Sequence, residues 1–401
     1  MRLLFVSPYL PSLIRVRPYN FLRALVQRGN QVTLVALQPP GDEAEALPEL
    51  RDWCEAVFVV PHSKTQTLLN GLAALPTRFP IQAAYSRSLA FTRQAQNILA
   101  HHRFDAAHIE HLRGAVLAES LGGLPTVYDS VDSISLLFGK VLQDAPSLKS
   151  RLMALLDLER TRRFESALTR RFDQVTVTSE TDRQALIELG SDATRITAIP
   201  NGVDLDYFQP AAAKRDPLQL VFTGKMSYHA NIAAVEDLAQ KIMPLVWAQQ
   251  PDARLVIVGK DPSPAVQALA QHPNITVTGF VPDIRPYLSG AAIAVSTVRY
   301  GVGIQNKVLE AMAMATPVVC SAQASSALKA ENGRDLLVGE TPQAVAQHIL
   351  TLLASPEQRA LMGAAGRRYV ETYHSWHSAA ARLETLYAAA AQRRHSQAGI
   401  L

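Results

Sequence analysis

Two stretches far apart in the chain share one design: Leu3–Ser7 (LLFVS) near the N-terminus, and Leu220–Gly224 (LVFTG) just beyond the middle. Each is an apolar run of strand length that enters a loop of small residues. A helical pattern follows in both halves, over Pro18–Arg28 and over Asn231–Ala248. Strands that alternate with helices are typical of a parallel sheet covered on both faces. The repetition predicts two doubly wound α/β domains of Rossmann type, facing each other across a cleft.

The alternation continues through both halves of the chain. Further strands are predicted at Gln31–Leu37, Ala56–Val60, Ala106–Ile109, Thr126–Tyr128, Gln174–Thr178, Arg254–Val258, Ile275–Thr278, Ala292–Val295 and Pro317–Cys320. Turn-forming residues from Ile199 to Pro217 separate the halves. We therefore predict an N-terminal domain over 1–205 and a C-terminal domain over 206–373. An amphipathic helix over 374–394, packed back on the N-terminal domain, and a polar tail over 395–401 would follow.

Composition excludes several classes of protein. Of the 401 residues, 48% are hydrophobic and 18% charged, which argues against a disordered or fibrous chain. A net charge of +4 is too small to indicate nucleic-acid binding. Two distant cysteines, Cys54 and Cys320, cannot build a zinc site and favour a reducing compartment. With neither a secretory signal nor an apolar stretch of spanning length in this sequence, we expect a cytoplasmic protein.

The segment from Arg299 to Val319 is the most informative for chemistry. Two glycines, Gly301 and Gly303, precede a helix predicted to begin near Gln305. Glycines admit a ligand close to the backbone, and the free amides of a helix N-terminus attract phosphate. Lys307 adds a cation, and Glu310 lies one helical turn further on the same side, where its carboxylate could accept from two sugar hydroxyls. From spacing alone, an ordinary turn with an exposed lysine–glutamate pair is an equally good interpretation.

A second candidate site is the run Thr223-Gly224-Lys225. It follows the strand predicted at Leu218–Thr223, and open α/β sheets bind ligands at the carboxyl ends of their strands. Lys225 is then placed to contact a ligand. An ordinary solvated lysine at this position is an alternative interpretation of the same sequence.

Taken together, these segments resemble glycosyltransferase family 4, whose members have the two-domain GT-B fold. The matching segments are Leu220–Met226, Arg254–Gly259, Val277–Val281, Lys307–Ala313, Pro317–Val319 and Ile199–Asp204. They cover the second domain and the linker, while the N-terminal half matches more loosely. Any one of these motifs is common, but their order and spacing together are specific.

The resemblance implies a retaining transferase that moves a sugar from a nucleoside-diphosphate sugar to a lipid-linked or polysaccharide acceptor. It assigns Lys225, Lys307 and Glu310 to the catalytic centre, with Lys225 on the diphosphate and Glu310 on the ribose. It assigns donor binding to Gly224, Phe280, Val281, Gly301, Gly303 and Ile304. No cofactor or metal is implied, because cations and aimed amides can stabilise the leaving diphosphate.

One position departs from the family pattern. The family's Glu-x7-Glu motif has its first acid eight residues before the position of Glu310, and Val302 stands there. Many subfamilies carry a Gly-Gly-x-x-x-Lys form instead, and the stretch from Gly301 to Lys307 is close to it. The sugar would then be held mainly by backbone amides and Lys307. This departure motivates one alternative, a non-catalytic subunit that binds nucleotide sugars. A nucleotide-sugar epimerase of the same fold is another, although the acids and bases it needs are not evident in the first domain.

Two further patterns imitate metal sites. Asp204 and Asp206 spell the Asp-x-Asp of metal-dependent transferases, but they lie in a predicted turn. His108 and His111 have only Glu110 nearby, which is a poor set of metal ligands. We therefore predict no metal site.

The first domain should bind the acceptor. Candidate residues on this side are Arg15, Arg17, His111, Asp129 and Asp132. The arginines could contact an anionic acceptor such as a lipid diphosphate or be solvated. For Asp132, capping of the following helix is an equally good account.

Basic residues are concentrated in Lys149–Arg171, where leucines also recur at helical spacing. The segment fits a surface helix whose apolar stripe packs on the domain, and it also fits peripheral contact with an anionic membrane at its inner face. The expected partners are a nucleotide sugar, a carbohydrate or lipid-linked acceptor and such a membrane, with no nucleic acid.

Overall fold

A computed structural model describes residues 1–39, 45–144, 148–210, 215–299 and 304–398. The chain forms two compact units, one of residues 1–200 with 376–401 and the other of residues 201–375. The chain therefore passes between the units twice. Over the described residues, no helix combines the length and the apolar character needed to cross a bilayer.

Unit 1 contains a seven-stranded sheet whose pairs are all parallel. Its strands are β1 (Arg2–Ser7), β2 (Gln31–Gln38), β3 (Ala56–Pro61), β4 (Ala106–Glu110), β5 (Thr126–Val131), β6 (Gln174–Val177) and β7 (Ile196–Ala198). They lie in the order β3-β2-β1-β4-β5-β6-β7, so the winding reverses between β1 and β4. In such sheets the crevice at the carboxyl ends of the two central strands is the usual ligand position.

Helices cover both faces of this sheet. They are α1 (Val16–Gln27), α2 (Leu47–Trp53), α3 (Lys64–Ala74), α4 (Ile81–Ala84), α5 (Leu89–His101), α6 (His111–Gly114), α7 (Ile134–Asp144), α8 (Leu148–Glu165), α9 (Leu168–Arg171) and α10 (Glu180–Glu188), with 3-10 turns at Leu117–Ser120 and Ala193–Arg195. Central strands such as β1 are buried almost along their whole length, which explains their continuous apolar sequence.

Unit 2 repeats the plan with six parallel strands. They are β8 (Asp216–Thr223), β9 (Arg254–Val258), β10 (Ile275–Val277), β11 (Ala291–Ser296), β12 (Val318–Ser321) and β13 (Leu337–Gly339). Their order is β10-β9-β8-β11-β12-β13, so the winding reverses between β8 and β11. The prediction of two doubly wound domains is confirmed.

The helices of unit 2 include one that the sequence predicted as continuous. They are α11 (His229–Asp237), α12 (Met243–Trp247), α13 (Pro264–Ala268), α14 (Arg285–Gly290), α15 (Asn306–Ala313), α16 (Ala322–Ser325), α17 (Pro342–Ala354) and α18 (Pro356–Tyr373), with a π-helical turn at Leu238–Ile242 and a 3-10 turn at Leu269–Gln271. The predicted helix Asn231–Ala248 is therefore α11 and α12 joined through the π turn. Pro244 lies in the first turn of α12, where it is tolerated.

The last helix, α19 (Trp376–Ala398), belongs to unit 1. Trp376, Leu383 and Tyr387 are buried in the same apolar cluster as Leu3 and Phe21. Arg28, the residue that follows α1, also pairs with Glu384 at 2.7 Å. The helix continues to Ala398, four residues into the stretch that the sequence predicted as a polar tail.

The boundary between the units lies earlier than residue 205. Val203 is buried in the core of unit 2 beside Val221 and Leu309. It also forms a parallel bridge with Ser375, and its amide donates to the carbonyl of His374 at 2.8 Å. The residues after Pro200 are thus part of unit 2, although their turn-forming composition predicted a linker.

Candidate functional site

In unit 2, two backbone segments meet at the carboxyl end of β8. Gly224 follows β8, and its amide donates to the carbonyl of Val258 at 3.0 Å. Gly259 follows β9, and a Cβ atom added to it would lie 1.6 Å from the carbonyl oxygen of Gly224. Only glycine fits at residue 259, because any side chain would push the loop that carries Lys225 out of place.

Lys307 lies in the first turn of α15, beside the reversal between β8 and β11. Its Nζ lies 4.4 Å from the centroid of the Phe222 ring and donates to Oδ1 of Asn231. The amide nitrogen of Asn231 donates in turn to the carbonyl of Lys225 at 2.9 Å. A Cβ atom added to Gly224 would lie 3.1 Å from Lys307 Nζ. Asn231 thus fixes the ammonium group against the glycine loop.

The charge of Lys307 is only partly compensated. The side chain is half-buried, and this burial lowers its pKa to about 8, against a smaller opposing effect of Glu310. Over the described residues, no carboxylate lies within ion-pair distance of the ammonium group. A partly desolvated cation at a helix N-terminus favours an anionic ligand.

Glu310 lies one turn after Lys307 on the same helix. Burial raises the pKa of its carboxyl group to about 7, and Lys307 partly offsets that rise. The carboxylate has no hydrogen-bond or ion-pair partner among the residues that the structure describes. It is therefore available to accept from the hydroxyls of a ligand.

The other residues predicted on the donor side are in different environments. Lys225 is 56% exposed, and its Nζ lies 3.8 Å from a carboxylate oxygen of Asp261. Phe280 is 73% exposed, whereas Val281 packs against the core of unit 2. Ile304 is buried in that core, so only its backbone could face a ligand. The predicted residues Gly301 and Gly303, and the departure at Val302, lie outside the described residues.

In unit 1, the sequence analysis offered Arg17 and Asp129 as residues that contact the acceptor. In the structure they pair with each other instead. The guanidinium of Arg17 donates to both carboxylate oxygens of Asp129, at 2.7 and 3.1 Å, and to the carbonyl of Ile199 at 3.0 Å. Both side chains are almost completely buried. Burial opposes the charged form of Asp129, but Arg17 outweighs it, and the pKa of that carboxyl lies below its usual value. The pair is a buried ion pair that links α1 to β5.

A buried polar cluster lies next to this pair, at the ends of β1 and β4. Tyr9 donates to Glu110 at 3.3 Å. His108 Nε2 lies 3.6 Å from Glu110, and His108 Nδ1 lies 2.9 Å from the Tyr387 hydroxyl of α19. Burial raises the pKa of Glu110, partly offset by His108. The cluster thus connects the centre of the sheet to the last helix.

Three residues of this region could hold a metal ion by distance alone. Ligand atoms of His108, Glu110 and Asp129 lie within 4.8 Å of one another, and over the described residues this is the one such group. Both oxygens of Asp129, however, already accept from the Arg17 cation. A divalent ion would have to sit beside that guanidinium, which is unfavourable. The ion pair therefore accounts for the position of Asp129 in this group.

His111 begins α6 with a φ of 64°, a conformation that non-glycine residues rarely adopt. Its Nδ1 accepts from the amide of Arg113 at 3.3 Å, so Nε2 carries the hydrogen. Burial, with Arg113 and Arg15, lowers the pKa of this imidazole to about 4. His111 is therefore neutral at pH 7, and the group it offers is a hydrogen-bond donor.

Asp132 does not cap α7. It accepts from the Thr178 hydroxyl at 2.9 Å. The cap comes from the Ser133 hydroxyl, which accepts from the Leu136 amide at 3.4 Å, and from buried Glu165, which accepts from the Ile134 amide at 2.7 Å. The sequence could not predict the contribution of Glu165, because this residue arrives from α8, about thirty residues later.

The Asp-x-Asp pattern of Asp204 and Asp206 lies in a turn, as the sequence predicted. One oxygen of Asp204 accepts from the amides of Asp206 and Tyr207, at 3.1 and 3.0 Å. That carboxylate oxygen stabilises the turn.

Sequence reasoning missed three polar residues of these sites: Asn231, Tyr9 and Arg113. Asn231 is buried, and its position in the first turn of the helix after Thr223-Gly224-Lys225 is the signal that could have identified it. The other two face their partners only because β1, β4 and α6 meet in space, and the sequence carries no comparable signal.

Two family models match the chain. The model for Glycosyltransferase Family 4 matches residues 15–207, and the model for Glycosyl transferases group 1 matches residues 217–355. The two matches correspond to the two halves predicted from the repeated strand–loop–helix design.

Curated relatives of known name are similar over part of their length. The chain is 28% identical over 265 residues to D-inositol 3-phosphate glycosyltransferase of Kineococcus radiotolerans, covering 57% of this chain and 59% of that protein. It is 30% identical over 210 residues to GDP-mannose-dependent monoacylated alpha-(1-6)-phosphatidylinositol monomannoside mannosyltransferase of Corynebacterium glutamicum, covering 47% and 55%. The chain thus spans less than two thirds of either relative.

Among solved structures, the chain is similar to Anabaena HepE in complex with UDP and glucose. The TM-score is 0.65 at 16% identity, over 97% of this chain and 100% of that one. At this identity the likeness shows a shared fold.

Proposed function

The chain belongs to glycosyltransferase family 4 and has the GT-B fold, and on that premise we propose that it transfers a sugar, with retention, from a nucleoside-diphosphate sugar to an acceptor. The observation that carries the proposal is Lys307, a half-buried ammonium with no carboxylate partner among the described residues, held against the Gly224 loop. The named relatives are glycosyltransferases.

The proposed chemistry depends on charge. Departure of the nucleoside diphosphate builds negative charge on its phosphate oxygens, and a positioned cation in a poorly solvated site stabilises that charge. Lys307 supplies the fixed cation, because Asn231 orients it before the donor arrives. Lys225, which is exposed, supplies a second cation. The leaving phosphate can itself take the proton of the acceptor hydroxyl, so no protein nucleophile is needed.

Glu310 completes the donor site. An ionised carboxylate without a protein partner can accept from both hydroxyls of a ribose ring. Its spacing from Lys307, one helical turn, places a sugar-binding group next to a phosphate-binding group. This arrangement suits a nucleoside diphosphate better than a free sugar.

We expect turnover to persist in the presence of a chelator. Lysine cations would take the part that a divalent ion plays in metal-dependent transferases. The measurement is release of nucleoside diphosphate from a panel of nucleotide sugars, with EDTA and with added magnesium or manganese. Loss of turnover in EDTA that either ion restores would contradict the metal-free mechanism. Nucleotide-sugar binding without turnover on any acceptor would instead support a non-catalytic binding subunit.

We further propose that the acceptor is lipid-linked or part of a surface polysaccharide, and that unit 1 meets an anionic bilayer at the inner membrane face. Seven leucines on α3, directly after α3 and on α8 are 44–65% exposed. They are Leu68, Leu69, Leu72, Leu75, Leu152, Leu155 and Leu156. We call them the leucine surface. Arg160 connects its two parts, donating to the carbonyls of Leu75 and Leu156. Exposed Lys64, Arg78, Arg151 and Arg163 lie on or beside the same helices.

The apolar residues of α8 and of the segment just after it fall into two groups, one buried and one exposed. Ala154, Phe164 and Leu168, the last just beyond the helix, are buried on the domain. The leucines at 152, 155 and 156 lie outside that buried stripe. Arg160, which a membrane interpretation of Lys149–Arg171 would count as a lipid contact, is instead bonded to the end of α3.

Replacing Leu69 and Leu155 together with glutamate should lower binding to anionic vesicles by at least tenfold, because each buried leucine contributes about 1.5–3 kcal/mol. Wild-type binding should also weaken as salt rises. Co-sedimentation with anionic and neutral vesicles measures both effects. The control is Leu361→Glu, an equally exposed leucine of α18 in unit 2. Equal binding by the double variant and wild type would mean that the leucine surface does not contact lipid.

A further inference from the structure

Two arginines in unit 1 lie close together without a counter-ion. Arg15 is exposed, and its guanidinium lies 4.2 Å from the centroid of the Tyr9 ring. Arg113 of α6 is half-buried, and its Nε is buried without a hydrogen-bond partner. Over the described residues, no carboxylate lies within ion-pair distance of either guanidinium. This differs from Arg17, whose donors are taken by Asp129 and Ile199.

A continuous set of contacts joins these two residues. The Tyr9 ring lies 6.2 Å from the His111 ring, and the amide of Arg113 donates to that imidazole at 3.3 Å. Burial and the charge of Arg15 both lower the pKa of Arg113, as expected for like charges in a poorly solvated place. Folding alone gives no reason to bring two unpaired cations together, whereas an anion bound between them would remove the cost.

The donor set also indicates the kind of anion. The two guanidinium groups and the Nε2–H of neutral His111 provide three separate sources of hydrogen bonds. A carboxylate has two oxygens, whereas a phosphoryl group presents three that can each meet a different donor. Arginine forks are well suited to this group.

We propose that Arg15, Arg113 and His111 form a site for a phosphoryl group of the acceptor. This rests on the proposed function only in assigning the ligand to the acceptor. Tyr85 connects the site to the leucine surface, because its ring lies 5.8 Å from the Arg113 guanidinium and packs against Gly71 of α3. The phosphoryl group could thus belong to a lipid headgroup or to a free phosphate ester.

The test is calorimetric binding of inorganic phosphate and of glycerol 3-phosphate, with glycerol as the neutral control and no nucleotide sugar present. All proteins carry Lys307→Ala, so that phosphate does not report on the donor site. We expect Arg15→Gln and Arg113→Gln each to weaken phosphate binding about tenfold or more. Arg93→Gln, which removes an exposed arginine of α5, should leave it unchanged. Dihexanoyl phosphatidylglycerol distinguishes the sources, since a lipid acceptor should bind more tightly than glycerol 3-phosphate.

The proposal is overturned if the parent protein fails to bind phosphate, or if both arginine variants bind as tightly as Arg93→Gln. Arg15 is exposed, so its substitution keeps the test valid even if Arg113→Gln misfolds. Since no donor is present, failure here leaves the proposed transferase activity standing. Conversely, a protein without turnover could still show the phosphate site.

Discussion

Substitution of Lys307 with alanine is expected to lower kcat/KM for the nucleotide sugar by about 10²–10³-fold, the scale for removing one preorganised electrostatic group from an active site. The ammonium is fixed by Asn231 and stands against the Gly224 loop. Lys225→Ala should have a smaller effect, about tenfold, because its side chain is 56% exposed and more fully solvated. Steady-state release of nucleoside diphosphate measures both.

The same site should show a characteristic dependence on pH. Glu310 ionises as the pH rises through about 7, so its hydrogen bonds to a ribose strengthen over that range. Lys307 loses its proton as the pH rises through about 8, so its attraction for the diphosphate weakens there. Donor affinity should therefore be greatest between these values, and Glu310→Gln should remove the acidic limb.

Lys241→Ala provides the control for this series, since Lys241 is 53% exposed and ion-paired with Asp237. It should leave kcat/KM near the wild-type value. If Lys307→Ala and Lys241→Ala had the same activity, the donor site would have to lie elsewhere.

Replacing Arg17 with methionine is expected to lower the free energy of unfolding of unit 1 by about 3–5 kcal/mol, the usual cost of leaving one partner of a buried ion pair unpaired. Asp129 is completely buried and would lose both of its Arg17 contacts. Arg162→Met removes an exposed pair with Glu159 and should cost at most about 1 kcal/mol.

Urea unfolding in a Trp247→Phe background measures this change, because the remaining tryptophans, Trp53 and Trp376, are in unit 1. The difference between Arg17→Met and wild type should shrink in acid. A depressed carboxyl pKa contributes stability above the unfolded value, about 3.9, and loses it as the pH falls through the folded value. A difference below about 1 kcal/mol at pH 7 would show that the pair is not an important tie.

The sequence predicted the fold because its strands are buried on both faces. Such strands need continuous apolar residues, as in Leu3–Val6 and Leu220–Phe222, and these runs stand out without any knowledge of their partners. The strands it missed, β7 and β13, are three residues long and lie at sheet edges. An edge strand is defined by the neighbour it pairs with more than by its own composition.

The donor-side candidates could also be predicted, because they lie close together in the chain. Lys307 and Glu310 belong to one helix, α15, and β11 is the element that precedes this helix in the chain. Sequence spacing therefore carries their geometry. The partner that orients Lys307, Asn231, lies 76 residues earlier and is brought to it only by the pairing of β8 with β11.

In unit 1 the tertiary structure decided most of the site. Arg15 and Arg17 are the same residue type and lie two positions apart in the chain. Arg17 is neutralised by Asp129, 112 residues away. Arg15 lies over the Tyr9 ring without a carboxylate partner among the described residues. The sequence determined that cations lie near the end of β1. Which cation is free to bind an anion depended on where β5 and α6 place their side chains, since charge compensation acts through space and not along the chain.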